Sequence, residues 1–263
     1  MYLCAKIEIM KEALSKSYRM RIFTLSELSD ALGRSIPSLS NMLQRWQRQG
    51  LAMQIRRNLY CMVDPVSGQP TVSKYEIGSR LSESAYISYH TALEYHGIAH
   101  QPFNEVMVTS TSRITSFTFD NMDYSIYQSK LETDGVISPK GNPMVKVTDL
   151  ERTLLDCFDR IDRAGGIEEL LHCMESIIRI DENKFIKYLK MYDKAVLYQK
   201  TGYLLELIKD KVHISDHLIE TCRIMGKSHV KWLTNDDTSD TFIKEWQLYV
   251  PQLITNQPEY ELV

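Results

Sequence analysis

The chain has 263 residues, of which 43% are hydrophobic and 25% are charged, and its formal net charge at pH 7 is −3. This length suits two domains with buried cores, and the net charge excludes a chain that is basic throughout. The charge is unevenly spread: residues 1–68 hold ten basic and five acidic residues (+5), whereas residues 69–263 hold 21 and 29 (−8). We therefore predict a small basic module joined to a larger acidic one.

The cysteines are scattered and include no CxxC pair, so the sequence indicates neither a disulfide framework nor a zinc site. The amino-terminal stretch mixes Lys and Glu with apolar residues, unlike a signal peptide. No run approaches the ~18 apolar residues that a membrane helix needs. We expect a soluble protein of the reducing cytoplasm, with no cofactor, no metal and no membrane partner.

The first elements follow from local spacing. Apolar residues at steps of four, three and four predict an amphipathic helix from Leu3 to Ser17. Tyr18–Phe23 is predicted as a short strand. Thr24 and Glu27 have the spacing of a capping box, which predicts a second helix that ends at Gly33.

The next segment, residues 34–60, contains five arginines and no Asp or Glu. Its helical spacing predicts an apolar face made of Ile36, Leu39, Leu43 and Trp46. Gly50 is expected to end this helix. The residues predicted on the opposite face are Arg34, Pro37, Ser38, Asn41, Gln44, Arg45 and Arg48.

Two short strands are predicted within residues 51–62, on either side of Arg56-Arg57-Asn58. A helix with a polar face followed by a basic hairpin is typical of a winged helix-turn-helix. The alternative is an amphipathic helix with a solvated basic face. The missing acidic residues favour DNA binding, because solvated faces usually mix both signs of charge.

The roles of the candidate DNA-binding residues follow from their chemistry. Asn and Gln suit adenine and Arg suits guanine in the major groove, whereas other basic residues hold phosphates. We predict base reading by Asn41, Gln44 and Arg45 and phosphate binding by Arg48, Arg56 and Arg57. The complete predicted site is Arg34, Ser38, Asn41, Gln44, Arg45, Arg48, Arg56, Arg57 and Asn58.

Residues 64–71 are rich in Pro and Gly and are predicted as a linker. The larger part, residues 72–263, is predicted as an α+β domain with a small sheet followed by a helical bundle. Its predicted helices cover residues 73–85, 148–161, 167–178, 182–192, 195–209 and 215–225, and residues 86–97 are predicted as a short strand that runs into a helix ending at Gly97. Its predicted strands cover residues 105–109, 114–119, 122–128 and 144–147, with closing strands at 230–233 and 241–248 and a loop at 131–143. Asp120-Asn121 is the expected turn between two of these strands.

The order of motifs resembles the AbiEi-type antitoxins, transcriptional regulators of viral defence systems. The resemblance covers nearly the whole chain. It rests on NLY (58–60), AYISYHTALEYHGI (85–98), VTDLERTLLDCFDR (147–160), AGGIEELL (164–171) and QKTGYLLE (199–206). The family pattern usually has glycine where Asn58 stands, and asparagine also adopts positive φ.

The resemblance implies a function. Members of that family repress their own promoter by binding inverted repeats in double-stranded DNA. They also counter a nucleotidyltransferase-like toxin without a stable direct complex. We therefore expect a non-catalytic autorepressor and antitoxin of a type IV toxin-antitoxin (abortive infection, phage defence) system, with an operator of two half-sites.

Other candidate residues have structural interpretations. His90 and His96 are six residues apart, which does not place both on one helical face, so packing or capping roles are favoured over metal or catalytic roles. The spacing of Asp149, Arg152 and Asp156 predicts an ion-paired helix that begins with Thr148 as its cap.

Two further patterns have structural interpretations that we favour over catalytic or ligand-binding ones. Cys157 lies among apolar residues and is predicted to be an inert buried thiol. Ala164-Gly165-Gly166 lacks the Lys-Ser/Thr of a phosphate loop and is predicted to be a turn.

One enzymatic alternative is a DNA-reading module fused to a metal-dependent nuclease-like domain. Asp120 or Asp123, followed by Gln128-Ser129-Lys130, faintly resembles the acid-plus-(D/E/Q)xK arrangement of restriction-type nucleases, which hold Mg²⁺ through oxygen ligands. Glutamine at the central position weakens this interpretation, and we favour a protein without catalysis.

Overall fold

The structure is a computed structural model that describes residues 2–129, 134–227, 229–234 and 239–255. It belongs to the α+β class. The first elements in chain order are α1 (Tyr2–Met20), β1 (Ile22–Phe23), α2 (Leu25–Leu32), α3 (Ile36–Arg48), β2 (Ala52–Arg56) and β3 (Leu59–Met62). The three strands form an antiparallel sheet in the order β1-β3-β2.

Local signals explain most of this amino-terminal region. Thr24 caps α2 in a capping box with Glu27, and Gly33 ends that helix in the left-handed conformation, as predicted. Asn58 adopts φ 61° in the β2–β3 turn, also as predicted. The strand predicted over residues 18–23 was wrong in its first half, because α1 continues to Met20 and only β1 remains.

The core of this region lies between the helices and the sheet. It contains Ala13, Phe23, Leu28, Leu39, Met42, Leu43, Trp46, Ala52 and Met62. The prediction for Ile36 was wrong: its side chain is 48% exposed, and Met42 is buried instead. Ile36 is the first residue of α3 and lies at the exposed end of the helix.

Residues 64–71 form a tight turn. The Asp64 carboxylate accepts hydrogen bonds from the backbone N–H groups of Val66 and Ser67, and Val63 pairs with Pro70. The chain then continues through α4 (Lys74–Ser79), β4 (Tyr86–Ile87), α5 (Tyr89–Tyr95), β5 (Glu105–Ser110), β6 (Phe117–Phe119), β7 (Met122–Gln128), β8 (Val136–Ile137) and β9 (Val147–Thr148).

Strands β4 to β9 form a six-stranded mixed sheet in the order β6-β7-β5-β4-β9-β8. Its longest pairing is parallel, between β5 and β7. Asp120 and Asn121 both have positive φ in the β6–β7 turn, which confirms the predicted hairpin. The helix predicted over residues 73–85 is shorter than expected and ends at Ser79. Residues 131–133 of the predicted loop lie outside the described residues.

The rest of the chain is mostly helical. Its elements are α6 (Leu150–Asp159), a 3₁₀ turn (Ile161–Ala164), α7 (Ile167–Glu175), α8 (Glu182–Tyr192), α9 (Ala195–Leu207), α10 (Lys209–Val212), α11 (Asp216–Met225), β10 (Lys231–Trp232), β11 (Ser239–Ile243), β12 (Leu248–Pro251) and α12 (Gln252–Thr255). The last three strands form a separate sheet in the order β10-β12-β11. The predicted closing strand over 241–248 is therefore two strands joined by a turn.

Two ion pairs join the amino-terminal region to α4 and to the residue that follows it. Arg21 donates to both carboxylate oxygens of Glu76, at 2.7 and 3.0 Å, and Glu76 also caps α4. Arg80 lies 2.6 Å from Glu27. A hydrophobic cluster crosses the same boundary and includes Ile22, Ile55, Leu59 and Cys61 from one side and Ile77, Val106, Val108 and Tyr124 from the other.

Across the four described ranges, none of the helices is both long enough and apolar enough to cross a membrane.

Candidate functional site

The outward face of α3 is exposed to solvent, and its side chains are polar except for that of Pro37. Those of Pro37, Ser38, Asn41, Gln44, Arg45 and Arg48 are exposed, and Arg34, before the helix, is partly exposed. The opposite face is held down by Leu39, Leu43 and Trp46, each nearly fully buried. Burial of one face therefore fixes which residues point outward.

The arginines of this face are not used within the molecule. In the described part of the chain, the side chains of Arg34, Arg45, Arg48 and Arg57 make no hydrogen bond and no ion pair. The helix itself contains no acidic residue. Surface arginines without intramolecular partners are available to an external anion such as a phosphate.

The hairpin residues differ from one another. Arg57 is exposed, whereas the guanidinium of Arg56 lies 5.6 Å from the centre of the Phe117 ring, on the six-stranded sheet. The side-chain oxygen of Asn58 accepts a hydrogen bond from the N–H of Leu25, at the start of α2. Of the three hairpin residues predicted to meet DNA, Arg57 is thus the one whose side chain is uncommitted.

The predicted ion-paired helix is α6. Arg152 donates through Nε to Asp156 at 3.2 Å and to the hydroxyl of Tyr192 at 3.0 Å, which confirms the Arg152–Asp156 pair. The predicted cap was wrong: Asp149, not Thr148, caps the helix by accepting from the N–H of Arg152.

Asp149 is not an ion-pair partner of the Arg152 guanidinium, and that part of the prediction was also wrong. Its carboxylate instead contacts Lys184 at 3.0 Å and accepts from the hydroxyl of Tyr188 at 2.9 Å. Thr148 belongs to β9, and its hydroxyl pairs with that of Thr153. Thr148 is therefore a residue of β9, although the sequence predicted it as the cap of α6.

The Arg152 network is deeply buried, and this changes the acidity of its members. Burial raises the pKa of Asp156, and the nearby guanidinium of Arg152 only partly offsets that effect. Burial, together with Asp156, raises the pKa of the Tyr192 phenol. Such a cluster of perturbed groups beside a cavity is a feature of functional sites and also of structural ion-pair networks.

The cavity beside this network has a volume of about 430 Å³. Its lining residues come from several elements: Tyr86, Tyr89, Thr109, Gln128, Ser129, Arg152, Asp156, Asp159, Arg160, Arg163, Tyr192 and Lys194. Apart from Arg152 and Asp156, and Gln128 and Ser129 of the nuclease-like pattern, sequence reasoning missed them. Only the fold brings them together, so no local spacing could have indicated the group.

His90 and His96 are separate, as predicted, and both have structural partners. His90 is buried, lies 3.1 Å from Glu169 through Nε2, and stacks on Phe103 with a centroid distance of 3.8 Å. His96 Nε2 lies 2.7 Å from the carbonyl oxygen of Thr148. These contacts are consistent with the packing roles expected from the sequence.

The Glu169 carboxylate accepts from the backbone N–H groups of His100 and Gln101 and contacts His90. Burial alone would raise its pKa, but these hydrogen bonds outweigh it, and the pKa is lowered. Glu169 therefore remains charged and fastens the loop before β5 to α7.

The other candidate sites of the sequence do not form chemical clusters. Cys157 is fully buried, and burial raises the pKa of its thiol well above the ordinary value. Gly165, with φ 90°, ends the 3₁₀ turn and so confirms the predicted turn. Within the ranges that the structure describes, no group of three or more His, Cys, Asp or Glu side chains is placed to hold a metal ion.

The residues of the nuclease-like pattern are far apart. Asp123 and Gln128 lie near opposite ends of β7, five residues and therefore about 17 Å apart along an extended strand. The Asp123 carboxylate accepts a hydrogen bond from Thr118 at 2.6 Å. Lys130 lies outside the described residues.

No protein-family model matches this sequence, and no curated protein matches it. Its structure is similar to the crystal structure of the RV2827C protein from Mycobacterium tuberculosis, with a TM-score of 0.65 and 14% sequence identity over 92% of this chain and 91% of that chain. At this identity the similarity shows a shared fold alone.

Proposed function

We propose that the amino-terminal region is a winged helix-turn-helix that binds double-stranded DNA. The observation that carries this proposal is the exposed, acid-free face of α3 with its unpaired arginines. The arrangement α1–β1–α2–α3 followed by the β2–β3 hairpin has the element order of such a domain. α3 would enter the major groove, where each base pair presents a distinct pattern of donors and acceptors.

The side chains divide by chemistry. Asn41, Gln44 and Arg45 are exposed along α3 and would read base edges, Asn and Gln on adenine and Arg on guanine. Arg48 and Arg57 would hold phosphates, which supply affinity with little sequence information. Arg56 lies against Phe117, so we give it the role of orienting the hairpin.

The biological role follows from the sequence resemblance. We propose that the protein represses its own promoter through inverted repeats and acts as the antitoxin of a type IV toxin-antitoxin system. Residues 1–68 would bind DNA, and residues 72–263 would carry the antitoxic function against a nucleotidyltransferase-like toxin. The net charge of −8 over residues 69–263 favours this division, because a negative surface repels DNA.

The test measures binding of the full-length protein to its own promoter fragment and to a scrambled fragment of equal length, over a range of salt concentrations. Arg45→Ala should cost about 1–3 kcal/mol on the promoter and much less on the scrambled DNA. Arg57→Ala should weaken both and reduce the salt slope by about one unit.

Arg179→Ala is the matched control, because Arg179 is also exposed but lies between α7 and α8, away from α3. Its affinity for both fragments should equal that of the wild type. Equal losses on the two fragments for Arg45→Ala would refute base reading by Arg45. Unchanged binding in both the Arg45 and Arg57 variants would refute the DNA site.

A second arm separates repression from antitoxicity. Cells that express the toxin from an unrelated promoter should still be protected by the Arg45→Ala protein, provided that it is folded and abundant. Loss of protection would show that DNA binding itself is the antitoxic mechanism. Footprinting of the promoter should show two protected half-sites in inverted orientation, and a single half-site at saturation would contradict the operator proposal.

A further inference from the structure

The 430 Å³ cavity beside α6 lies in the region that the DNA-binding proposal does not use. It falls within the roughly 300–1,000 Å³ range of small-molecule sites. The sheet contributes Tyr86 and Thr109 to its wall, α6 contributes Arg152 and Asp156, and Lys194 comes from the start of α9. The chemical character of the cavity wall is therefore set by several elements of the fold.

The lining is positively charged although the surrounding region is acidic. Four basic side chains line the cavity, namely Arg152, Arg160, Arg163 and Lys194, against the carboxylates of Asp156 and Asp159. The lining balance is thus +2, whereas residues 69–263 as a whole carry −8. A cavity of this sign selects anions over cations.

Among the residues that the structure describes, one of the four cations has no carboxylate partner. Arg152 pairs with Asp156, Lys194 lies 2.6 Å from Asp159, and Arg160 lies 2.7 Å from Asp162, which is outside the lining.

Arg163, by contrast, makes no ion pair within the described residues, and its Nε is buried without a hydrogen-bond partner. A guanidinium without a carboxylate partner is available to pair with an anion bound in the cavity.

Tyrosines hold the Arg163 guanidinium in place. It lies 3.8 Å from the centre of the Tyr127 ring, and its Nη1 donates to the Tyr89 hydroxyl at 2.7 Å. Tyr89 then has its own O–H proton available, since its hydroxyl donates no hydrogen bond within the described residues. The guanidinium and this hydroxyl form a pair of donors at the cavity wall.

The backbone at Tyr89 is strained. Its φ is 52°, in the left-handed region, which is an outlier for a bulky residue and costs about 1–3 kcal/mol. Tyr89 begins α5, two residues after the end of β4, and its ring lies edge-on to that of Tyr127 with a centroid distance of 5.3 Å. Strain of this kind persists where it positions a functional side chain.

We propose that this cavity binds a small aromatic organic phosphate of the size of a nucleoside monophosphate. The phosphate oxygens would accept from Arg163 and from the Tyr89 hydroxyl, with Arg160 and Lys194 adding positive charge. The planar guanidinium of arginine matches phosphate geometry in bidentate fashion. The ring of the ligand would lie against Tyr86 and Tyr192, because bare phosphate fills only a small part of the volume.

The test is calorimetric titration of the full-length protein, at constant ionic strength, with adenosine monophosphate, adenosine and inorganic phosphate. Adenosine monophosphate should bind at least about tenfold more tightly than either of the others, a difference of about 1.4 kcal/mol. Arg163→Gln should weaken its binding about tenfold or more. Tyr89→Phe, which keeps the ring and removes the hydroxyl, should weaken it several-fold. Arg179→Gln, at a remote exposed arginine, should leave it unchanged.

Several results would overturn the proposal. One is that adenosine monophosphate does not bind at millimolar concentration. Another is that adenosine or inorganic phosphate binds as tightly as adenosine monophosphate. A third is that Arg163→Gln and Arg179→Gln change the affinity for adenosine monophosphate equally. If Arg163→Gln does not fold, Arg163→Lys takes its place, because it keeps the charge and loses the planar fork. Unchanged affinity in that variant would equally refute the role of Arg163. The outcome is independent of DNA binding, which involves other residues.

Discussion

Replacement of Arg152 by leucine should destabilise the protein by about 3–5 kcal/mol, because it leaves the buried carboxylate of Asp156 without its cation. Only 1% of Arg152 is exposed, and its Nε donates to both Asp156 and Tyr192. For a chain of this size each kcal/mol corresponds to about 2–4 °C, so the Tm should fall by roughly 6–20 °C.

Two further variants identify the cause. The double variant Arg152→Leu, Asp156→Leu should lose less stability than the single one, because replacing a whole buried pair by apolar residues is often close to neutral. Arg160→Leu breaks an exposed pair with Asp162 and should cost less than about 1 kcal/mol.

The pH dependence has a definite sign. The pKa of Asp156 is already raised in the folded protein, and Arg152 is the main group that lowers it, so Arg152→Leu raises it further. Between the unfolded pKa, about 3.9, and this higher folded pKa, the folded variant holds a proton that the unfolded chain lacks. Its stability therefore increases as pH falls through the folded pKa, and the deficit relative to the wild type should shrink.

The assay is urea unfolding followed by tryptophan fluorescence at neutral and at mildly acidic pH. A loss below about 1 kcal/mol in Arg152→Leu would refute the reasoning about the buried charge. So would a deficit that stays constant or grows on acidification, because an uncompensated carboxylate must be relieved by a proton.

Two other changes test the packing and the junction. Gly202→Ala should lower stability by about 1–3 kcal/mol, because an added Cβ would overlap the Trp246 ring; Gly141→Ala, with no atom within 4 Å of the new Cβ, should leave the Tm almost unchanged. Arg21→Ala should cost about 3–5 kcal/mol by leaving the buried Glu76 carboxylate without its cation, whereas Arg80→Ala should cost less than about 1 kcal/mol, because its partner Glu27 is itself exposed. Thermal unfolding monitored by circular dichroism measures both. Equal Tm values for the two glycine variants, or for the two arginine variants, would contradict these assignments.

Features set by a few neighbouring residues could be predicted from the sequence. The capping box at Thr24 and the positive φ of Asn58 depend on local geometry alone, and both predictions are confirmed. The cap of α6 could not be predicted in the same way, because Thr148 and Asp149 can both cap a helix. Pairing of β9 with β8 places Thr148 in a strand and leaves the role to Asp149.

The cavity could not be predicted because its chemistry depends on contacts between distant segments. Arg163 meets the Tyr89 hydroxyl across 74 residues, and nothing in the spacing of either residue signals the other. The same holds for Arg56, which looks like its neighbour Arg57 in the sequence. Only the position of β6 separates the half-buried arginine from the exposed one.

If the protein binds two half-sites as proposed, the double attachment of Glu76, to Arg21 on one side and to the start of α4 on the other, has a consequence for the spacing of those half-sites. A joint fixed by a bidentate ion pair and a shared core does not swivel as a polypeptide tether would. Each base pair inserted between two half-sites rotates one relative to the other by about 35° around the duplex axis. For two molecules in contact through residues 72–263, affinity should therefore vary with spacer length as a periodic function of helical phase, with a minimum near a half turn.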